Sequence, residues 1–220
     1  MTADTDTLRI VVNQDFSSNT YLLASGTPGR CIVVDPGLDS AALDQALHDA
    51  GWSPEAVLCT HGHFDHVGGA AELQARHHIP VYLSAADVKA AKMSNFLMAA
   101  FKLEKRIKLP DFQLIEGEDP RLECAGRSFL FHSTPGHTPG SAAIEVDGLL
   151  FSGDSLYARR IALSQLPGED SPTLRRSLRR LFTRVSDEVL VLPGHGRSAT
   201  LKDIHENNDK LREFMAEPER

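Results

Sequence analysis

Four side chains able to bind a metal fall within six residues: His61, His63, Asp65 and His66, in Thr60-His61-Gly62-His63-Phe64-Asp65-His66. Imidazole is the commonest metal ligand among side chains, and carboxylates supply the charge a dication needs. The run follows an apolar stretch that ends at Cys59. In a sharp turn off a strand end, alternate residues converge on one point. His61 and His63 could then share one metal while Asp65 and His66 face a second. A further turn, Ser133-Thr134-Pro135-Gly136-His137-Thr138-Pro139-Gly140-Ser141, holds His137 among prolines and glycines that fix its backbone. Asp154, in Phe151-Ser152-Gly153-Asp154, and His195, in Leu192-Pro193-Gly194-His195-Gly196, each close another apolar run. Four strand ends thus deliver candidate ligands, and loops on a rigid sheet are where chemistry is usually placed.

The elements that must hold these turns follow from apolar patterning. Short apolar runs at 8–12, 21–23, 31–34, 56–59, 81–83, 112–114, 122–124, 128–132, 142–146, 149–152 and 188–192 predict strands. Asp39 caps a predicted helix over 40–50 that aligns Leu43, Leu47 and Ala50 on one stripe. Further helices are predicted over 69–77, 85–108, 171–180 and 201–214, with Ser171 as cap and Pro172 at the first helical position of the fourth of these five. Helices alternating with strand clusters predict a layered α/β or α+β domain.

Composition narrows the function. The 220 residues can bury a sizeable core as one domain, 1–220, without disulfides. Lys and Arg number 23 against 30 Asp and Glu, a net charge of −7, which argues against nucleic acid or an anionic membrane as partner. No window approaches the ~18 apolar residues of a membrane span. Residues 1–6 carry Asp4 and Asp6 and no apolar signal-peptide core. Cys31, Cys59 and Cys124 form no Cys-x-x-Cys pair, and read as three buried, reduced thiols of a cytoplasmic protein. A small-molecule substrate and a monomer or homodimer are expected.

His61-x-His63-x-Asp65-His66, followed by His137, Asp154 and His195, resembles the metallo-β-lactamase superfamily. The resemblance runs from Asn19-Thr20-Tyr21 and Asp35-Pro36-Gly37 to Pro193-Gly194-His195-Gly196. Within the superfamily the chain is most similar to glyoxalase II (hydroxyacylglutathione hydrolase) and its short relatives. This implies a four-layer αββα sandwich with metals at one edge of two packed sheets. It also implies that His61, His63 and His137 hold one metal, that Asp65, His66 and His195 hold a second, and that Asp154 bridges them. Two zinc ions are implied, with iron or manganese as alternatives; the imidazole and oxygen set favours zinc. Asp35 matches an early aspartate that supports the ligands from behind, although an aspartate before Pro36 also suits a plain turn. Cys59 reads as buried filler. Common zinc β-lactamases carry cysteine at the position of Asp154, so antibiotic hydrolysis is a poor expectation.

Such a site implies hydrolysis by a metal-generated hydroxide, with Asp154 setting the metal spacing and Asp65 orienting the nucleophile. A thiolate, of pKa near ~8.5, departs without a strong proton donor, whereas a lactone alkoxide needs an acid. Thioester hydrolysis is the first expectation. Tyr157 keeps lactone or ester hydrolysis open, because glyoxalase II typically has phenylalanine there and the lactonases of the superfamily a tyrosine. Tyr157 is either that proton donor or packing beneath the loop. A mononuclear-iron persulfide dioxygenase and a catalytically idle, metal-stabilised binding module are the remaining alternatives. Glyoxalase II adds a C-terminal helical domain for glutathione, and no separate domain of that kind is expected here. Asn207-Asn208-Asp209 and Ala158-Arg159-Arg160-Ile161 replace its usual motifs, so glutathione recognition is unsupported. Arg159 and Arg160 could grip a carboxylate. The 85–111 stretch is a possible helical lid, with Lys89, Lys92, Lys102, Lys105, Arg106 and Lys108 beside Met93, Phe96, Leu97, Met98 and Phe101. The alternative is an ordinary amphipathic helix. Arg175, Arg176, Arg179 and Arg180 read as a solvated helix face.

Overall fold

Leu22 and Leu23 point to opposite sides of one strand, and both are buried. A strand with two buried faces needs a covering layer on each side. Ile32 with Val33 and Val57 with Leu58 repeat the pattern on neighbouring strands. The computed structural model describes residues 7–161 and 168–217, so the signal-peptide reading at residues 1–6 lies outside it.

The first sheet places β1 (Leu8–Val12), β2 (Asn19–Ala24), β3 (Arg30–Val34), β4 (Ser53–Leu58), β5 (Val81–Ser84) and β6 (Phe112–Ile115) side by side in chain order. Its first three strands are antiparallel and β3 to β6 parallel. Parallel neighbours need crossovers, here α1 (Ser40–Ala50), α3 (Ala70–His77) and α4 (Val88–Ala100). The second sheet runs β7 (Arg121–Cys124), β8 (Arg127–Ser133), β9 (Ala142–Val146), β10 (Leu149–Gly153), β11 (Leu190–Pro193) and β12 (Ala199–Thr200). Among the described residues its one parallel pair, β10 with β11, is joined through α5 (Ser171–Arg184).

Three apolar cores separate four layers. Tyr21, Leu23, Ile32, Leu58, Phe129, Phe131, Ile144 and Phe151 meet between the sheets. Leu22, Val33 and Val57 pack outward on Leu43, Leu47 and Leu73 of α1 and α3. Leu150 and Val191 pack on Leu174, Leu178 and Leu181 of α5, and on Ile204 and Leu211 of α6 (Leu201–Asn207) and α7 (Asp209–Ala216). This is the expected αββα sandwich.

Several local expectations need correction. The helix predicted over 85–108 begins as a 3₁₀ turn at Ala85–Asp87 and ends at Ala100. Lys102 takes φ 59°, and Leu103 N–H closes on Met98 O at 2.9 Å, which stops the helix without a glycine. The chain then folds back, and the Asn95 amide brackets Ile107 with two bonds of 2.9 Å. The cap of α5 is Asp170, whose carboxylate accepts from Thr173 N–H at 2.9 Å, and the helix runs on to Arg184. Of the four arginines read as a solvated face, Arg176 and Arg179 are exposed but Arg175 and Arg180 are not. Arg175 is 2% exposed, stacks 4.6 Å over the Phe214 ring and donates to Phe214 O at 2.7 Å. Arg180 bonds Glu118 and Ser133 O, while Arg176 stays exposed. The predicted 201–214 helix is split at Asn208, whose side chain caps α7 through Leu211 N–H at 3.0 Å. Cys124 is half-buried rather than buried, because β7 is an edge strand.

Candidate metal centre

The four ligand-bearing turns leave β4, β8, β10 and β11 at the same edge of the sandwich. Hydrogen bonds tie the two sheets there: Asn19 N–H to Gly194 O at 2.7 Å and Ala142 N–H to Thr60 O at 2.9 Å. The side chain of Asn19 also donates to Pro193 O and Gly196 O, at 2.9 and 2.8 Å. The chain bends at Thr60 and His61, is extended at His63, and then winds into a single turn, α2 (Phe64–Val67), which carries Asp65 and His66.

Two groups of donor atoms result, and within each all donors lie within 4.8 Å of one another. One is His61, His63 and His137, with His63 Nδ1 3.0 Å from His137 Nε2. The other is Asp65, His66 and His195. Asp154 stands between them. Its Oδ2 is 3.6 Å from His137 Nε2 and 3.4 Å from His195 Nε2, and its Oδ1 is 3.5 Å from His66 Nε2. His66 Nε2 and His195 Nε2 lie 3.6 and 3.3 Å from Asp65 Oδ2. The structure thus brings together all seven residues singled out from the sequence.

Their fit to metal ions can be tested on these atoms. Donors bound at 2.0–2.1 Å around a tetrahedral zinc are ~3.3 Å apart, close to the separations seen between the groups. Buried His61 Nε2, His66 Nε2 and Asp154 Oδ1 have no hydrogen-bond partner, an arrangement that costs roughly 1–3 kcal/mol per group unless a cation occupies their common focus. The residues fit.

A surrounding layer fixes the ligands' other atoms. Asp35, with φ 52°, makes the turn and also accepts from Thr60 N–H and Thr60 Oγ1, each at 2.7 Å, while facing His66 Nδ1 at 3.1 Å. Asp35 thus occupies the turn and faces the back of His66 in one conformation. It groups with His61 and His66, but it meets the ring edge of His66 opposite Nε2. Thr60 Oγ1 is 3.1 Å from His61 Nδ1, and Glu169 Oε1 is 3.2 Å from His137 Nδ1. Asp87 binds both histidine turns at once, accepting from Gly62 N–H, Thr138 Oγ1 and Gly140 N–H at 2.6, 2.8 and 2.7 Å. Sequence reasoning missed Thr60, Asp87 and Glu169. Only Thr60, next to His61, carried a positional hint; Asp87 and Glu169 lie far from every ligand in sequence.

Tyr157 is 4% exposed, its ring 6.3 Å from that of His195 and beneath the Arg160 guanidinium at 4.4 Å. Burial, then the charge of Asp154 and a hydrogen bond to it, push its hydroxyl well above the usual range. It packs under the loop and also reaches the site. In the 85–111 stretch, Leu97 and Met98 pack with Phe64, whereas Phe96 is 64% exposed. Phe101 and Phe16 meet edge-on at 5.5 Å, and Phe16 meets Phe64 at 4.9 Å.

The charge of the site is uneven. Burial, then the neighbouring imidazoles, lower His61 well below its ordinary value; burial and His137 lower His63 to about 4. Burial opposes the charged form of His66 too, but Asp65, Asp154 and Asp35 outweigh it and raise His66 to about 9. His195 is raised to about 10 against burial, by hydrogen bonds to Asp154 and Asp65. A metal takes only the neutral imidazole. Loading the chelator-treated protein at pH 7 is therefore expected to release protons from His66 and His195, seen as buffer-dependent heats in titration calorimetry. Because both values lie above the unfolded ~6.5, the stability they give the metal-free fold is full below that pH. It is lost as pH rises through 9 and 10. The metal-free protein should then melt lower at pH 10 than at pH 7; a flat profile with no proton release contradicts this charge arrangement.

Comparison with known proteins agrees with the geometry. The sequence profile of the Metallo-beta-lactamase superfamily matches residues 13–195. YqgX of Bacillus subtilis (strain 168), described as a probable metallo-hydrolase, is 30% identical over 203 residues, 90% of this chain and 93% of that protein. A hydroxyacylglutathione hydrolase of Xanthomonas euvesicatoria pv. vesicatoria (strain 85-10) is 34% identical over 188 residues, 86% of this chain but 65% of the relative. The crystal structure of TTHA1623 in a di-iron-bound form superposes with a TM-score of 0.80 at 32% identity, covering 91% of this chain and 98% of that one. With its profile, its sandwich and its paired donor groups in agreement, the chain belongs to the metallo-beta-lactamase superfamily.

Proposed function

We propose that the protein is a dinuclear metal-dependent hydrolase of thioesters. The observation that carries the reading is the convergence of two three-donor groups on one shared carboxylate, Asp154. His61, His63 and His137 would hold one ion and Asp65, His66 and His195 the other, with Asp154 between them. Bound there, two dications supply a hydroxide nucleophile near neutral pH and polarise a carbonyl. The donor set favours zinc, and the di-iron form of a relative keeps iron within the proposal.

The chain's own groups do the positioning. The Ser18 hydroxyl donates to Asp65 O at 2.8 Å, fixing the backbone that carries the Asp65 carboxylate. Asp35 and Glu169 hold the rings of His66 and His137 by their outer nitrogens. Tyr157 keeps its proton, because burial and the charge of Asp154 hold its hydroxyl well above the usual range. A thioester suits this site because a thiolate leaves without a proton donor. Lactone or ester hydrolysis is the second reading, favoured by the position of Tyr157 beside Asp154, from which it could protonate an alkoxide. A small-molecule substrate, a cytoplasmic setting consistent with three unpaired thiols, and a monomer or homodimer complete the proposal.

The test is metal analysis with a hydrolysis panel of simple thioesters, a homoserine lactone, a phosphodiester and a penicillin, run on wild type and Asp65→Asn. Two metal equivalents and thioester turnover that falls in the variant are expected. Under one equivalent after zinc supplementation, or one iron with oxygen uptake, overturns the reading.

A further inference from the structure

A cavity of about 200 Å³ opens directly beside His195, walled by Tyr157, Arg160, Gly196 and Arg197, with Arg159 at its rim. Three arginines on one small wall stand out in a chain of net charge −7. Arg159 is already committed, its terminal nitrogen meeting both carboxylate oxygens of Asp203 at 3.0 and 2.8 Å. The Arg160 guanidinium lies 4.4 Å over the Tyr157 ring. Stacking orients a guanidinium while leaving its in-plane N–H donors free for a ligand. Among the described residues, neither Arg160 nor Arg197 has a carboxylate at ion-pair distance; the nearby Asp203 is taken by Arg159.

Both walls are held by buried asparagines. Asn208, fully buried, donates to Tyr157 O at 3.0 Å and Arg160 O at 3.2 Å. Asn19, also buried, donates to Gly196 O at 2.8 Å. Arg160 and Arg197 are exposed guanidinium groups without an ion-pair partner among the described residues, and their anchored backbone, with the Arg160 stack on Tyr157, lowers the ordering that an anion must impose. Size selects among anions. Sites for drug-sized ligands span roughly 300–1,000 Å³, so this one has room for a short arm and not for a nucleotide.

We infer that the cavity walled by Tyr157, Arg160 and Arg197 binds a carboxylate carried by the substrate a few atoms from the scissile bond, and so selects anionic thioesters over neutral ones. The inference rests on the hydrolase reading for its catalytic consequence, but the binding site stands on its own geometry. It also revises the carboxylate grip expected of Arg159 and Arg160, with Arg197 replacing Arg159.

Two substrate pairs locate the carboxylate: S-acetyl-3-mercaptopropionate against its propionamide for the thiol side, and S-methyl thiosuccinate against S-methyl thiosuccinamate for the acyl side. Wild type, Arg160→Gln, Arg197→Gln and the double variant are compared at equal metal content. In one pair, wild type should prefer the acid by about tenfold or more in kcat/KM, as expected for charge-assisted hydrogen bonds. The double variant should lose that ratio chiefly through KM. An independent arm follows binding of 3-(methylthio)propionate by NMR at the arginine Nε–H signals, with Kd expected to rise about tenfold in the double variant. Turnover that ignores the carboxylate, together with binding indifferent to both arginines, overturns the subsite and leaves the hydrolase reading intact. Arginine-dependent binding without hydrolysis of any thioester does the reverse. Failure of both arms overturns both.

Discussion

Replacing Asp87 with alanine is expected to cost about 4 kcal/mol of stability and to strip metal from the three-histidine group. The carboxylate is fully buried and accepts from Gly62 N–H, Gly140 N–H and the Thr138 hydroxyl. Gly62 separates His61 from His63, and Thr138 follows His137, so one side chain sets two ligand turns against each other. Truncation leaves the buried Gly62 and Gly140 N–H groups without acceptors, each worth roughly 1–3 kcal/mol, turns the Thr138 hydroxyl onto Ser141 Oγ at 2.6 Å, and opens a cavity beside them. Burial pushes the Asp87 carboxyl up, and the three donors oppose that shift. Asp87→Asn should be milder in stability, yet it sets an amide N–H₂ against backbone N–H and so still misaligns one turn. Urea denaturation with metal analysis reads both effects. Full metal content with a loss under ~1 kcal/mol would show that the turns hold themselves.

Gly194→Ala should remove about one metal equivalent and lower turnover by about 10²-fold, the usual scale for misplacing a reacting group by an ångström. A methyl group at 194 would sit 2.1 Å from Asp154 Oδ1 and 2.7 Å from His66 Cε1, well inside contact distance. The backbone cannot retreat, because Gly194 N–H donates to Gly153 O at 2.8 Å and Gly194 O accepts from Asn19 N–H at 2.7 Å. His66 is pinned from behind by Asp35. The ligands themselves must move. Gly196→Ala is the control: it has φ 81° and nothing within 4 Å of an added methyl, so it should cost roughly 1–2 kcal/mol of strain and keep both metals. Equal metal content in the two variants would refute the steric argument.

The ligands were legible because chemistry and spacing coincide at strand ends, where the backbone direction is set by the sheet. The division of His61 and His63 from Asp65 and His66 also followed from local geometry: a turn off the strand end with His63 extended, then helix. What the sequence hid depends on distant partners. Asp87 reads as a charge in the first turn of the predicted 85–108 helix until the His137 turn is packed on it. Arg175 belongs to a run of arginines that suggests water, but Phe214 and Glu217 arrive from the last helix to bury it. The 85–108 pattern stayed apolar at helical spacing past Phe101, and the stop at Lys102 is a left-handed residue that no glycine announces. Asn208 interrupts a helical pattern because its amide is drawn to Tyr157 O and Arg160 O.

The bonds between the sheets at the ligand edge have a temporal consequence. Asn19 and Pro193 meet across 174 positions of chain, and each donor group takes members from both sheets. A growing polypeptide that has reached only His66 presents a histidine-rich turn but completes neither group. Metal capture must then await the late, non-local docking of the second sheet, the slow class of folding event. Once captured, the ions clasp the two sheets where they would first part. Their release, rather than the melting of any single helix, should govern how long the native molecule survives.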